Sequence, residues 1–432
     1  MMKKFLSLIL FLLPVFLFAR ESDVFIGLSS KYDPSALPKI GLAANTYSDT
    51  TPEEEKKYSN LFAEVLRSDL YRARYFNIEE TVPAAETAAL GPQLSLLEKE
   101  GMLYFVFFNF LPTGTQDVWE IQAFMYDTSS KKALLAKKLI APTKSIRKSA
   151  HLFADQIVKL LTGKRGLAST KIAFANDTTG RKEIYIVDYD GYNLTKLTND
   201  KSISLLPRWS DQGTKIYYTT YRNGNPQIYV VDLKEGEISP VIKEKGLNLI
   251  GGISADNKKL VITLSRGQNP SIYLKELSSG RTLELTDRYG VDGSPSFSPD
   301  GKYVTFVSNR SGNPQIYIMN LETKETRRLT KFNWTDSPQW SPNGDWIAFA
   351  GRQAPDHPID IFLIDITGGQ IRQLTADSGS NEDPWWSPDG RFLAFTTNRD
   401  GKRQIYVMDA DGSAQHLIAN IRGNSFTPSW SN

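Results

Sequence analysis

The sequence predicts an N-terminal α/β domain, with two helices on a mixed sheet, followed by an all-β six-bladed propeller of four-stranded blades. The first observation behind this prediction is a unit of about 44 residues that recurs six times from residue 171 onward. The second is a change of pattern before residue 164, where helical spacing replaces short β-strands. The third is an apolar leader at the N-terminus, which predicts export.

Two sequence anchors repeat in phase through the six units. The first is an Ile followed by an aromatic residue, and the second is an apolar or aromatic residue followed by Ser. The Ile anchors are Ile184, Ile228, Ile272, Ile316, Ile361 and Ile405, and the second anchors are Trp209, Ile253, Phe297, Trp340, Trp386 and Trp430. Each unit also contains four short strands separated by Gly-containing turns. This length and strand number are typical of a propeller blade, in which the repeated aromatics pack between neighbouring blades.

The ring of blades is predicted to span residues 171–432 and to be closed by its C-terminal strand. The first unit begins at Lys171 with a second strand and has no aromatic-Ser strand before it. That strand occurs instead at the far end, as Pro428-Ser429-Trp430-Ser431. Because an open ring would leave two exposed strand edges, we expect these two ends to pair.

The N-terminal third has the pattern of a small α/β domain. Residues 20–163 are assigned to this domain, with a flexible segment at its start, and residues 164–170 to a linker. Thr51-Pro52 followed by three Glu residues predicts the start of the first helix. The second helix is predicted over 145–162, and strands are predicted over 103–110, 118–126 and 133–140.

Residues 1–19 have the features of a signal peptide. Lys3 and Lys4 precede an uncharged apolar stretch, and Ala19 offers a small residue for cleavage. Cleavage would place the protein in the periplasm. An uncleaved N-terminal anchor is the alternative, because Leu17 occupies a position where Ala is more usual.

The chain has no cysteine, which excludes disulfides, thiolate metal sites and a cysteine-linked lipid anchor.

Composition and motifs argue against catalysis and against nucleic-acid binding. There are 51 basic and 48 acidic residues with no basic block, so the chain lacks the electrostatic footprint for nucleic acid. His151, His357 and His416 have no metal-ligand spacing, and no Gly-x-Ser-x-Gly motif occurs. We therefore predict a non-enzymatic protein without metal or cofactor. We also expect a monomer that associates with membranes only through its partners.

A partner-binding face is predicted at one mouth of the propeller channel. Loops that lead into the first strand of each blade should cluster there, and rigid scaffolds often present function on such loops. The candidates are Leu247, Asn248, Asp292, Gly293, Thr335, Asp336, Asn381, Glu382, Asp383 and Thr427, with Ser204 and Ser425 at equivalent positions. Because four of these are carboxylates, the rim is expected to be moderately acidic.

Essentially all of residues 20–432 resembles the TolB family of periplasmic proteins in the Tol–Pal envelope system. The resemblance lies in the leader, the two-helix α/β domain and the Trp-Ser-Pro-Asp-Gly repeats. It also includes the stretch from Asp188 to Asn193, Leu161-Thr162-Gly163 and Pro428-Ser429-Trp430-Ser431. It implies a non-enzymatic scaffold that links the peptidoglycan-associated lipoprotein Pal to inner-membrane Tol proteins, for envelope integrity and cell division.

The resemblance also assigns the two binding regions. Pal would dock at the propeller mouth, and the inner-membrane protein TolA would bind the segment after the leader, which includes Glu21, Ser22, Asp23, Val24, Phe25 and Ile26. Such a segment could add to the edge of a partner's sheet. Leu247 and Gly293 stand where family members carry a Pal-contacting His and Thr.

Two other classes of protein share this architecture. A secreted propeller enzyme, such as a calcium-dependent lactonase, would need several oxygen ligands around one cation, and Asp292, Asp336 and Asp383 are the candidates. A carbohydrate-binding envelope protein would use exposed aromatics, whereas the repeated aromatics here fall at predicted core positions.

Overall fold

The computed structural model describes residues 37–43, 52–81, 90–287 and 289–432. The signal peptide 1–19, the segment from Glu21 to Ile26 and Thr51 lie outside these residues. Within them, no helix is long and apolar enough to cross a membrane.

The α/β domain is built on one mixed five-stranded sheet with strand order β2-β1-β3-β4-β5. Its strands are β1 (Lys39–Ala43), β2 (Asn77–Thr81), β3 (Tyr104–Pro112), β4 (Val118–Asp127) and β5 (Ala133–Pro142). Its helices are α1 (Glu53–Arg72), α2 (Leu90–Lys99) and α3 (Ile146–Thr162), the last preceded by a 3-10 turn at Thr143–Ser145. β1 runs parallel to β2 and β3, whereas β3, β4 and β5 are antiparallel.

The predicted fold class is confirmed, with one addition in this domain. The two predicted helices are α1 and α3, and their apolar faces pack on the sheet around Phe62, Val106 and Phe153. Gly163 ends α3 in the left-handed conformation with φ 71°, which glycine adopts without steric cost. The shorter helix α2 was not predicted, and it places Leu94 and Leu97 against Phe105.

Six four-stranded antiparallel blades follow, and each is described from the channel outward. Blade 1 contains β29 (Ser425–Trp430), β6 (Lys171–Asn176), β7 (Glu183–Asp188) and β8 (Thr195–Lys196). Blade 2 contains β9 (Ser204–Trp209), β10 (Lys215–Asn223), β11 (Asn225–Asp232) and β12 (Ile238–Ile242). Blade 3 contains β13 (Asn248–Ile253), β14 (Lys259–Leu264), β15 (Ser271–Glu276) and β16 (Thr282–Glu284).

The remaining three blades repeat this plan. Blade 4 contains β17 (Asp292–Phe297), β18 (Tyr303–Ser308), β19 (Gln315–Asn320) and β20 (Thr326–Arg328). Blade 5 contains β21 (Trp334–Trp340), β22 (Trp346–Arg352), β23 (Asp360–Asp365) and β24 (Ile371–Gln373). Blade 6 contains β25 (Asn381–Trp386), β26 (Phe392–Thr397), β27 (Gln404–Asp409) and β28 (His416–Leu417).

The ring closes through blade 1, as predicted. β29 pairs with β6, so the two ends of the propeller share one sheet. The indole of Trp430 is buried and donates a hydrogen bond to Thr170 Oγ1 over 2.8 Å, and the Lys171 amide donates to Ser431 Oγ over 2.9 Å. The repeated aromatics are packed between blades, and Trp386 Nε1 donates to the Gln339 carbonyl of blade 5. The inner edge of β6 is therefore covered by β29.

A buried polar cluster joins the α/β domain to blade 1. Asp69 of α1 accepts hydrogen bonds from His151 of α3, with a distance of 2.7 Å to Nδ1, and from the hydroxyl of Tyr189, just after β7. The other ring nitrogen of His151 lies 3.6 Å from Asp190, which also pairs with Arg147 of α3. Because Asp69, His151 and Tyr189 are all buried, the cluster fixes how the helices sit on the propeller.

A second contact between the domains lies under blade 6. Arg391, which is buried in the turn before β26, donates to the Ala73 carbonyl at the end of α1. Its guanidinium also lies 4.0 Å from the ring centre of Tyr75. The α/β domain therefore rests on the side of the propeller that carries the turns between the first and second strands.

Candidate functional site

The inner strands line the channel, and their first residues form the mouth that faces away from the α/β domain. The prediction that the candidate residues lie in loops is wrong for most of them. Asn248, Asp292 and Asn381 are the first residues of β13, β17 and β25, and Thr335 is the second residue of β21. All four side chains are fully buried, so a partner cannot reach them without displacing the blade contacts that they make.

These buried residues hold the mouth together. Asn248 Nδ2 donates to the carbonyls of Pro226, Glu244 and Gly246. Thr335 Oγ1 donates to the Pro314 carbonyl over 3.2 Å, and Asn381 Nδ2 donates to Asp360 Oδ1 over 3.0 Å. Ser204 and Ser425, at the same position in blades 2 and 1, are likewise buried. Each side chain satisfies backbone or carboxylate groups that would otherwise be buried without a partner.

A β-bulge interrupts all six inner strands at the same place. In five of them a residue at the bulge has positive φ and is followed by Pro, and these residues are Leu206, Ser294, Ser337, Asp383 and Thr427. A bulge re-aims a side chain and bends its strand. In this ring, Ser294 Oγ donates to Asp336 over 2.7 Å, and Ser337 Oγ donates to Asp383 over 3.1 Å. The bulges thus link neighbouring blades around the channel axis.

The acidic character expected of the rim is weaker than the count of carboxylates indicates. Asp292 pairs with Arg310 over 3.0 Å, and Glu382 pairs with Arg403 over 3.0 Å. Burial raises the pKa of Asp336. Burial, together with the charges of Glu382 and Asp336, raises the pKa of Asp383 to about 6. The mouth therefore presents little free negative charge in mildly acidic solution.

The three carboxylates considered for a calcium-dependent enzyme do not form one set. Asp292 is directed to Arg310, whereas Asp336 and Asp383 are bridged through the bulged Ser337. Within the described ranges, one group of three potential metal ligands comes together, Asp69, His151 and Asp190, and it lies between the domains rather than in the channel. The expected absence of a catalytic centre remains a prediction.

Exposed apolar side chains at the mouth were missed in the sequence. Ile203 immediately precedes β9, and Tyr289 and Val291 precede β17. Their exposed fractions are 40%, 79% and 47%. Leu247 and Gly293 are partly exposed beside them, and a Cβ added at Gly293 would meet no atom within 4 Å. The residue types of Ile203, Tyr289 and Val291 alone suggest core positions. Their place just before an inner strand is the sequence feature that could have identified them as exposed residues of the mouth.

The comparisons with known proteins agree with this architecture. Residues 158–432 match the family described as TolB beta propeller domain. The Tol-Pal system protein TolB of Geobacter sulfurreducens is 36% identical over 154 residues, which is 35% of this chain and 35% of that protein. The protein TolB homolog of Chlorobaculum tepidum is 44% identical over 94 residues, or 22% of this chain and 21% of the relative. The alignments thus span about a third or less of these two relatives.

Structural similarity extends over nearly the whole chain. The crystal structure of TolB from Acinetobacter baumannii superimposes with a TM-score of 0.76 and 27% identity, and covers 92% of this chain and 97% of that one. A chain of a nidogen–laminin complex shares the propeller fold alone, with a TM-score of 0.51 and 12% identity over 61% of this chain and 98% of that one. The family match covers more than half of the sequence, and the chain belongs to the TolB propeller family.

Proposed function

We propose that this protein is a non-enzymatic periplasmic scaffold of the Tol–Pal system. It binds the peptidoglycan-associated lipoprotein Pal at the propeller mouth and the inner-membrane protein TolA through the segment after the leader. This linkage between the two membranes supports envelope integrity and cell division. The observation that carries the proposal is the match to TolB from Acinetobacter baumannii, which includes both domains rather than the repeat alone.

The mouth has the physical properties of a docking surface. Ile203, Tyr289 and Val291 expose apolar area at the mouth, and the ion pair of Glu382 with Arg403 adds polar groups to the same rim. Exposed apolar residues together with polar groups are typical of protein interfaces, and aromatic residues often dominate their binding energy. The blades beneath are cross-linked by buried hydrogen bonds, so the surface is rigid before a partner arrives. A preformed surface loses little entropy on binding.

Tyr289→Ala is expected to weaken binding of the soluble domain of Pal by about 2 kcal/mol, or roughly thirtyfold in Kd. Tyr289 is 79% exposed, the highest fraction among the large apolar and aromatic side chains of the described residues, and its loss removes contact area without disturbing the core. Calorimetric titration of the mature protein measures the effect. Ile371→Ala is the matched control, because Ile371 is 46% exposed on β24, the outermost strand of blade 5. Equal affinities for wild type and Tyr289→Ala would contradict docking at the mouth.

Removal of residues 20–28 is expected to abolish binding to TolA and to leave Pal binding and the melting temperature unchanged. The deleted stretch lies outside the described residues and precedes β1, so the folded domains keep all the contacts described above. Binding to the soluble C-terminal domain of TolA, measured beside a thermal melt, separates the two effects. Retained TolA binding would contradict this assignment, while a lowered melting temperature would show that the stretch belongs to the fold.

A further inference from the structure

A cavity of about 410 Å³ occupies the end of the channel that faces the α/β domain. It is lined by residues at the C-terminal ends of the inner strands and by the turns that follow them. We call it the Arg208 cavity, after the cation at its inner end. Apolar walls come from Ile253, Phe297 and Trp385, and the linker residue Arg165 lies at its rim. Its volume falls in the range of small-molecule sites.

Arg208 is a buried cation whose hydrogen bonds are only partly satisfied. Its Nε donates to the Gly251 carbonyl over 2.8 Å, and its Nη1 donates to the Pro207 carbonyl over 2.9 Å. The guanidinium carbon lies 4.5 Å from the ring centre of Trp385, across the channel. Nη2 forms no hydrogen bond with any of the described residues, and Arg208 lines the cavity. One face of the guanidinium group is therefore available to a ligand.

The positive charge of Arg208 also lacks a direct counter-ion. None of the described carboxylates forms an ion pair with it, and burial lowers its pKa to about 10. Asp383 is the acid whose charge favours the protonated guanidinium, but its own pKa is raised to about 6. A buried cation without a paired anion is unfavourable, and an oxyanion that forms hydrogen bonds with it removes that cost.

We propose that the Arg208 cavity binds a small organic acid, whose carboxylate contacts Arg208 and whose apolar body lies against Ile253, Phe297 and Trp385. The Arg208 cavity is separate from the docking mouth. The contact of Arg208 with Trp385 crosses the channel and lies between the cavity and the mouth. Asp211 lies at the cavity rim, where it accepts a hydrogen bond from the Asn432 side chain, and an acidic side chain at this place disfavours ligands of higher negative charge. A monocarboxylate fits these charges better than a phosphate.

The charges around Asp383 give the site a pH dependence. Two acids lie near Asp383, namely Glu382 beside it on β25 and Asp336 on β21 of blade 5. Two cations also lie near it, namely Arg208 of blade 2 and Arg403 of blade 6. As the pH falls through about 6, Asp383 becomes neutral and its repulsion of a bound carboxylate disappears. The affinity for the acid should therefore rise in mildly acidic solution.

Calorimetric titration of the mature protein with benzoate tests the proposal, and benzamide serves as the neutral ligand of the same shape. Benzoate is expected to bind and benzamide to bind at least tenfold more weakly, because only the carboxylate pairs with the cation. Inorganic phosphate is expected to bind more weakly than benzoate. Equal binding of benzoate and benzamide, or no binding of benzoate, would overturn the proposal, and tighter binding of phosphate would overturn the assignment to an organic acid.

Two substitutions of opposite effect keep the test independent of folding. Arg208→Met should remove benzoate binding, whereas Asp383→Asn should strengthen it by about tenfold above pH 6 and remove its pH dependence. Arg327→Met is the matched control, because Arg327 also donates to backbone carbonyls but lies on β20, at the outside of the ring. Benzoate affinity that is unchanged in Arg208→Met would overturn the site. If Arg208→Met folds poorly, an unchanged benzoate affinity in Asp383→Asn above pH 6 would overturn it instead.

Discussion

Deletion of residues 427–432 is expected to abolish cooperative folding of the whole propeller, rather than to loosen one edge of it. The deletion removes most of β29, the inner strand of blade 1, and exposes the edge of β6. Loss of the Trp430 side chain alone should cost about 3–5 kcal/mol. Since a domain is typically stable by only about 5–15 kcal/mol, the combined loss leaves little or no folded protein.

Thermal unfolding followed by circular dichroism measures this effect, with Trp430→Ala as an intermediate case. Removal of Asn432 alone is the control, because this residue is exposed and lies beyond the last strand. The full deletion should eliminate the unfolding transition, and Trp430→Ala should lower its midpoint by several degrees. An unchanged melting temperature in the deletion variant would show that the ring does not depend on closure through blade 1.

His151→Leu is expected to destabilise the contact between the two domains by about 3–5 kcal/mol, because it leaves the Asp69 carboxylate buried without its ionic partner. The hydroxyl of Tyr189 would remain as a donor to Asp69 but carries no charge. Leu152→Ala is the matched control, since Leu152 is the next residue of α3 and is exposed. Hydrogen exchange of α1 and α3 and the thermal melt of the mature protein both report the loss. Equal stability of His151→Leu and Leu152→Ala would contradict the role of the cluster.

The same cluster should make stability fall as the pH rises. Burial by itself would lower the pKa of His151, but the hydrogen bond with Asp69 and the charges of Asp69 and Asp190 outweigh it and raise the pKa above 6.5. Burial also raises the pKa of Asp69. A group with a raised pKa in the folded state stabilises the fold below its unfolded pKa, and this contribution is lost as the pH rises through the folded value.

The interdomain contact should therefore be strongest in mildly acidic solution and weaken above pH 6.5. The charges in the cluster also predict that stability falls as the pH rises. Two acids, Asp69 and Asp190, face two cations, Arg147 and protonated His151. Loss of the histidine charge therefore leaves a net negative charge in a buried place. Arg72 near Tyr189 reduces this excess without contacting Asp69 directly. Melting temperatures measured from pH 6.5 upward should fall in wild type and fall less steeply in His151→Leu. A rise with pH would refute this account.

The propeller was predictable because its signal is repeated six times. Two anchors with the same spacing determine blade number and strand order. The first repeat begins at Lys171 with a second strand and has no first strand before it in the sequence, which indicates how the ring closes. The α/β domain has no such redundancy. β1 and β2 are short parallel strands that lack alternation, and α2 begins after residues outside the described part, without a visible capping signal. Such elements depend on the partners that cover them, and one sequence does not identify those partners.

The channel was less predictable than the fold. Asn248 and Asp292 look like loop residues in the sequence, yet each is buried at the start of an inner strand, because its polar side chain completes the hydrogen bonds of a neighbouring turn or arginine. The contact between Arg208 and Trp385 joins blades that are distant in the chain. Period and composition place both residues on inner strands, but only the closed ring brings them face to face.

Closure by β29 has a consequence for the order in which this protein matures. A polypeptide is synthesised from its N-terminus, so β6 is made long before β29, with which it pairs at the inner edge of blade 1. Until then, five complete blades would flank an incomplete sheet, and its free edge could pair with another chain. Blade 1 is therefore completed only once β29 has been made, and until then the edge of β6 must stay free of other chains.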